Sequence, residues 1–144
     1  MSKIYISAAE SRVLLAKQCG NLIGSLFIHT VCDSNYYLHP LDEAFKIIRE
    51  AQLYALSFVD ELSDCDDFQR KLTNVFLERA YKVDEGKAKR RPPSLFGNAS
   101  SWDHAFNVMI TSDKLVRFIE PQLDPLEGIF LPHQMQTGIV EVVW

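Results

Sequence analysis

The chain has 144 residues, enough for one domain with its own core, and its 47% hydrophobic and 24% charged residues exclude a disordered chain. A formal charge of -4 argues against nucleic acid as the main partner. No run of about 18 apolar residues is present, so neither a membrane-spanning helix nor a membrane partner is expected.

Ser7-Ala8-Ala9-Glu10 has the form of a capping box, which predicts a helix from Ala8 that stops near Gly20. Leu22 to Val31 is apolar and β-branched, and periodicity does not separate a strand from a buried helix there. The run is too internal for a signal peptide and is expected to be a buried segment. Asp33-Ser34-Asn35 marks a turn. A second helix is predicted from Pro40 and Leu41, with Asp42 and Glu43 at the positive end of its dipole. A third is predicted from Cys65 to Tyr81, with Asp64 as its N-cap.

Lys82 to Asn98 holds basic residues, Pro92-Pro93 and Gly97, and is predicted as a loop. It is expected to be solvated, and a partner-binding surface in a non-catalytic protein. Ala105 to Thr111 and Leu115 to Glu120 flank Ser112-Asp113-Lys114 as a hairpin. Ile129 to Leu131 and Gly138 to Trp144 supply further strands. Helices followed by strands predict an α+β fold, with helices packed on an antiparallel sheet, in a single domain over residues 1–144. Residues 1–32 are an N-terminal extension of uncertain role.

Three cysteines, Cys19, Cys32 and Cys65, do not suit a disulfide framework. No CxxC or HxxxH spacing indicates structural zinc. A reducing, cytoplasmic location is the simplest expectation, and it keeps a thiol usable. Cys65 is the thiol of interest. A lone cysteine on an apolar helix face is ordinarily a small core residue. At a helix start, however, unpaired N–H groups and the dipole favour a thiolate, and the backbone N–H there can face an oxyanion. His104 and Glu120 stand on the two arms of the predicted hairpin, where a carboxylate can orient an imidazole. Thiol, imidazole and carboxylate together are the parts of a nucleophilic site, with Cys65, His104 and Glu120 as its catalytic residues. Asp64, Asp66 and Asp67 place negative charge beside the thiol, which favours its neutral form. Asp60, Glu61, Asp64, Asp66 and Asp67 ordinarily make a solvated face. Asp66 and Asp67 are also metal-ligand candidates of the oxygen type that Ca²⁺ takes, without EF-hand spacing.

The runs Asp33 to Pro40, Asp64-Cys65-Asp66-Asp67-Phe68, His104-Ala105-Phe106-Asn107 and Glu120-Pro121-Gln122, in this order, resemble a small papain-like domain. That domain is the cysteine-protease module of certain fungal ricin-type agglutinins, with stand-alone bacterial and phage relatives. The resemblance covers about Asp33 to Trp144. It implies a papain-like fold, a Cys65–His104–Glu120 triad, proteolysis, and dependence on a divalent cation such as calcium. The expected function is then a cysteine hydrolase cleaving a peptide or amide bond in a peptide or protein substrate. The same triad could transfer an acyl group or deamidate. A different class is a non-catalytic binding or inhibitor protein of phage or bacterial accessory type on the same fold. The sequence gives no oligomeric state.

Overall fold

The computed structural model describes residues 5–56, 64–82 and 91–144. Its elements in chain order are β1 (Tyr5–Ser7), α1 (Ala8–Cys19), β2 (Ile23–Thr30), β3 (Asn35–Tyr37), α2 (Leu41–Ala51), α3 (Cys65–Lys82), β4 (Phe96–Ser100), β5 (Ala105–Ile110), β6 (Val116–Ile119), α4 (Pro125–Gly128), β7 (Ile129–Phe130) and β8 (Ile139–Val143). The α+β class stands.

Six strands form one sheet in the order β2-β8-β4-β5-β6-β7, and β1 pairs with β3 in a separate ribbon. The sheet is mixed rather than antiparallel, because β2 runs parallel to β8. Nor do the helices share one face. Phe106, Val108 and Ile110 of β5 join Leu15 and Cys19 of α1 in one core cluster. Met109, from the other face of the same strand, joins Ile47 and Ile48 of α2 and Leu72 and Phe76 of α3 in the second. All six residues of β5 are buried. A strand covered on both faces loses the polar alternation of a half-exposed one.

Ser7 caps the helix as expected, accepting from the Glu10 backbone N–H at 3.1 Å, while the Glu10 carboxylate pairs with Lys114 instead of closing a full capping box. Residues 5–32 supply β1, α1 and β2, and Ile6, Leu15 and Cys19 are core residues. β2 departs from the expected buried segment. It is an edge strand, with Leu26 71% and Ile28 58% exposed. The predicted loop over 82–98 contains most of a strand, since β4 begins at Phe96. Gly97 belongs there through close approach rather than turning: a Cβ would meet the Val143 carbonyl oxygen at 2.0 Å. Residues 83–90 of that basic loop, and Asp60 and Glu61 of the acidic run, lie outside the described residues. Among the described residues, no helix is long and apolar enough to cross a membrane.

Candidate functional site

Cys65 is the first residue of α3, as its sequence position predicts, and is half-buried. His104 stands immediately before β5, and Glu120 immediately after β6. The antiparallel pairing of β5 and β6, with Asn107 opposite Ile119, brings those two strand ends together. His104 Nε2 is hydrogen-bonded to Glu120 Oε2. Glu120 Oε1 also accepts from the Gln122 backbone N–H at 3.2 Å, which orients the carboxylate. The His104 ring packs near-parallel to Phe106 at 5.9 Å between centroids. Phe106, Phe118 and Met135 wall a small apolar pocket of about 70 Å³ beside the pair. Imidazole and carboxylate are therefore joined as the hairpin predicted. No hydrogen bond joins Cys65 Sγ to His104 among the described residues.

Two polar residues to which the sequence reading gave no role tie α3 to the sheet. Gln69, one turn beyond Cys65, donates through Nε2 to the carbonyls of Ala99 on β4 and Phe106 on β5, both at 2.8 Å. Asn107 lies fully buried on β5, and its amide donates to the Gln69 carbonyl at 3.0 Å and the Gly97 carbonyl at 3.1 Å. These bonds satisfy buried backbone acceptors and fix the start of α3 against the strand that leads from His104. A glutamine beside Phe68 and between two apolar turns is the only sequence signal for this, and it looks like a surface residue.

The aspartates behave differently from a simple cap. Asp67 Oδ2 accepts from the Asp64 backbone N–H at 3.3 Å, so Asp67 reaches back over the helix start. Asp64 Oδ1 is buried and has no donor. A side-chain contact with Asp66 raises the Asp64 carboxyl above its ordinary range and holds Asp66 below its own. Asp66 also pairs with Arg70 at 3.3 Å. One oxygen each from Asp64, Asp66 and Asp67 lie within 4.8 Å of one another. The metal candidates Asp66 and Asp67 thus converge with Asp64. Arg70 balances part of the cluster's charge.

Two larger hollows lie elsewhere. One, of about 340 Å³, is lined by residues 21–27, which run into β2, by Trp102 and by residues 138–140. Trp102 is 80% exposed. The pairing of β2 with β8 is irregular between Ile23 and Ile28, which leaves the middle of β2 beside this groove. The other, of about 520 Å³, is a cleft lined by Tyr37, His39, Glu43 and Arg91 among others. His39 is held on both sides: Nδ1 lies 2.6 Å from Glu43 Oε1, and Nε2 lies 2.6 Å from Ser94 Oγ. Burial pushes the His39 pKa down, and Arg91 and Arg79 push the same way against the opposing pull of Glu43.

The fold is shared with a lectin. A structure of PSL1a in complex with E64 matches with a TM-score of 0.82 at 17% identity, over 99% of this chain and 51% of that one. The structure of Polyporus squamosus lectin bound to a human-type influenza-binding epitope, Neu5Acα2-6Galβ1-4GlcNAc, matches with a TM-score of 0.77 at 19% identity, over 99% and 50%. The chain spans about half the length of these structures. No family model matches, and no curated protein matches.

These findings correct the sequence reading. The resemblance to a papain-like cysteine protease, and the phage or bacterial cysteine hydrolase it implied, give way to a fold whose matched structures include one named as a lectin. A partner remains expected. The name of one matched structure gives a glycan epitope as its ligand.

Proposed function

We propose that this domain is a glycan-recognising module and that the groove lined by Trp102 holds the sugar. The observation that carries this reading is an indole four-fifths exposed in the lining of a groove beside an irregularly paired strand. The flat amphipathic ring of an exposed tryptophan offers the C–H face of a pyranose a stacking surface. Asn21, Ser25 and the backbone of β2 provide polar groups along the same groove for hydroxyls. The lectin name and glycan ligand of one matched structure support the ligand class.

Trp102 fluorescence provides the test, because Trp144 is 5% exposed and reports little of the surface. Titration with Neu5Acα2-6Galβ1-4GlcNAc and with Galβ1-4GlcNAc is expected to give a saturable emission change with at least one of them. Trp102→Ala, titrated by calorimetry because the variant lacks the reporter indole, is expected to abolish binding with an unchanged melting temperature. Binding that survives Trp102→Ala, or no saturable change with either sugar, sinks the assignment.

We also propose Cys65, His104 and Glu120 as one thiol–imidazole–carboxylate group, supported by the His104–Glu120 bond and by the ties that hold α3 to β5. Its test is thiol reactivity. Cys19 is buried and its thiol is pushed up to about 12, so it stays inert near neutral pH. Cys32 is exposed and is removed as Cys32→Ser. In that background, iodoacetamide labelling of Cys65 is expected to slow at least fivefold on His104→Ala near neutral pH. Identical pH–rate profiles with and without His104 would leave Cys65 as an ordinary helix-start thiol.

A further inference from the structure

We infer that the cleft between β3 and α2 is a second ligand site, built for an acidic sugar whose carboxylate is taken by Arg91 and whose hydroxyl is taken by Glu43. Its lining shares no residue with the Trp102 groove. The inference rests on an unequal distribution of partners among its charged groups.

Glu50 is already neutralised. Arg79 Nη2 lies 3.5 Å from Glu50 Oε2, and Lys46 Nζ lies 4.0 Å from Glu50 Oε1. Arg91 differs. It is half-buried, its guanidinium sits 4.4 Å over the Tyr37 ring, and Nη1 donates to the Pro92 carbonyl at 3.0 Å. Among the described residues no carboxylate lies within ion-pair distance of it. A guanidinium carries five N–H donors in a planar fork and stays charged under any ordinary condition. Burial disfavours its charge here, while Tyr37 and Glu43 pull the other way without pairing with it. A desolvated, stacked fork beside an open cleft is complementary to a planar carboxylate.

Glu43 supplies the other end. Its Oε1 is held by His39 at 2.6 Å, and the Tyr37 hydroxyl donates to both carboxylate oxygens at 3.4 Å. Oε2 therefore has only a long bond, on a side chain that is 44% exposed. It can accept a ligand hydroxyl. His39, buried between Glu43 and Ser94, holds that carboxylate in place rather than touching the ligand. A carboxylate at one end and hydroxyls at the other describe a sugar acid. At about 520 Å³ the cleft has room for a single such ring.

The test is calorimetric titration of the whole chain with glucuronate, glucose and inorganic phosphate. Glucuronate is expected to bind at least tenfold more tightly than glucose or phosphate, since only it engages both ends. Arg91→Gln is expected to weaken glucuronate at least tenfold. Arg91→Lys, which keeps the charge but loses the fork, is expected to fall between. Trp102→Ala is expected to leave glucuronate binding unchanged, which separates this site from the groove. Circular dichroism melts of both Arg91 variants check that they are folded. Equal binding of glucose, equal binding of phosphate, no heat with glucuronate, or unchanged affinity in folded Arg91→Gln would each overturn the assignment.

Discussion

Replacing Gln69 with leucine is expected to remove about 2–3 kcal/mol of stability, because two buried carbonyls lose their donor together. For a chain of this size that lowers the melting temperature by roughly 5–10 °C. The Gln69 amide bridges Ala99 and Phe106, which face each other across β4 and β5. Its loss therefore loosens α3 from both strands at once. Cys65 lies one turn away, so iodoacetamide labelling of Cys65 should accelerate as the helix start opens. Asn107→Leu should cost a similar amount, since its amide serves the Gln69 carbonyl and the Gly97 carbonyl. The two substitutions act on one network, and their effects should fall short of additivity in a double-mutant cycle. Denaturant melts of the two single variants and the double variant provide the measurement. A loss below about 0.5 kcal/mol for Gln69→Leu, the range of ordinary surface changes, would show that these bonds do not fix α3.

That network marks where sequence patterning stops. Helix starts were legible because their chemistry is local: Ser7 with Glu10, and Pro40 ahead of Leu41, need only neighbours in the chain. The β5–β6 hairpin was legible for the same reason, and with it the meeting of His104 and Glu120. The parallel pairing of β2 with β8 was not, because it joins the first strand of the large sheet to the last. β4 was hidden by Gly97 and Asn98, which suit a loop by composition. Gly97 is needed because the chain passes against Val143 and Trp144 there. The cleft was missed for a similar reason. His39 and Glu43 were visible as one histidine and one helix-start acid, but Ser94 and Arg91 reach them from far along the chain. Function was the least legible level. Cysteine, histidine and glutamate in a given order define a chemistry only when a fold gathers them, and a fold does not by itself choose a function.

Acidification from pH 7 to about pH 4 is expected to destabilise the protein through His29. Its Nε2 is buried without a partner, and its ring stands edge-to-face with Trp144 at 4.7 Å. Burial, helped by the Arg12 charge, lowers its pKa from 6.5 to about 4. The folded state thus prefers neutral imidazole, while the unfolded chain takes up a proton near pH 6.5. The stabilising preference is fully present above pH 6.5. It is lost as pH falls from 6.5 through the folded-state value, because the unfolded state binds more protons over that interval. The gap corresponds to at most about 3 kcal/mol, reached below pH 4. His39 is lowered too and acts in the same direction. The lowered carboxyls of Asp113 and Asp124 also lose stability on acidification, but only toward and below about pH 4, so the intervals separate. His29→Phe keeps a flat ring against Trp144 and removes the titration. Urea melts between pH 7 and pH 4.5 should show a steep decline for wild type and a shallower one for the variant, with His39 as the residual. Parallel declines would exclude His29 as the acid-sensitive group and leave the buried imidazole between Glu43 and Ser94 to account for the whole slope.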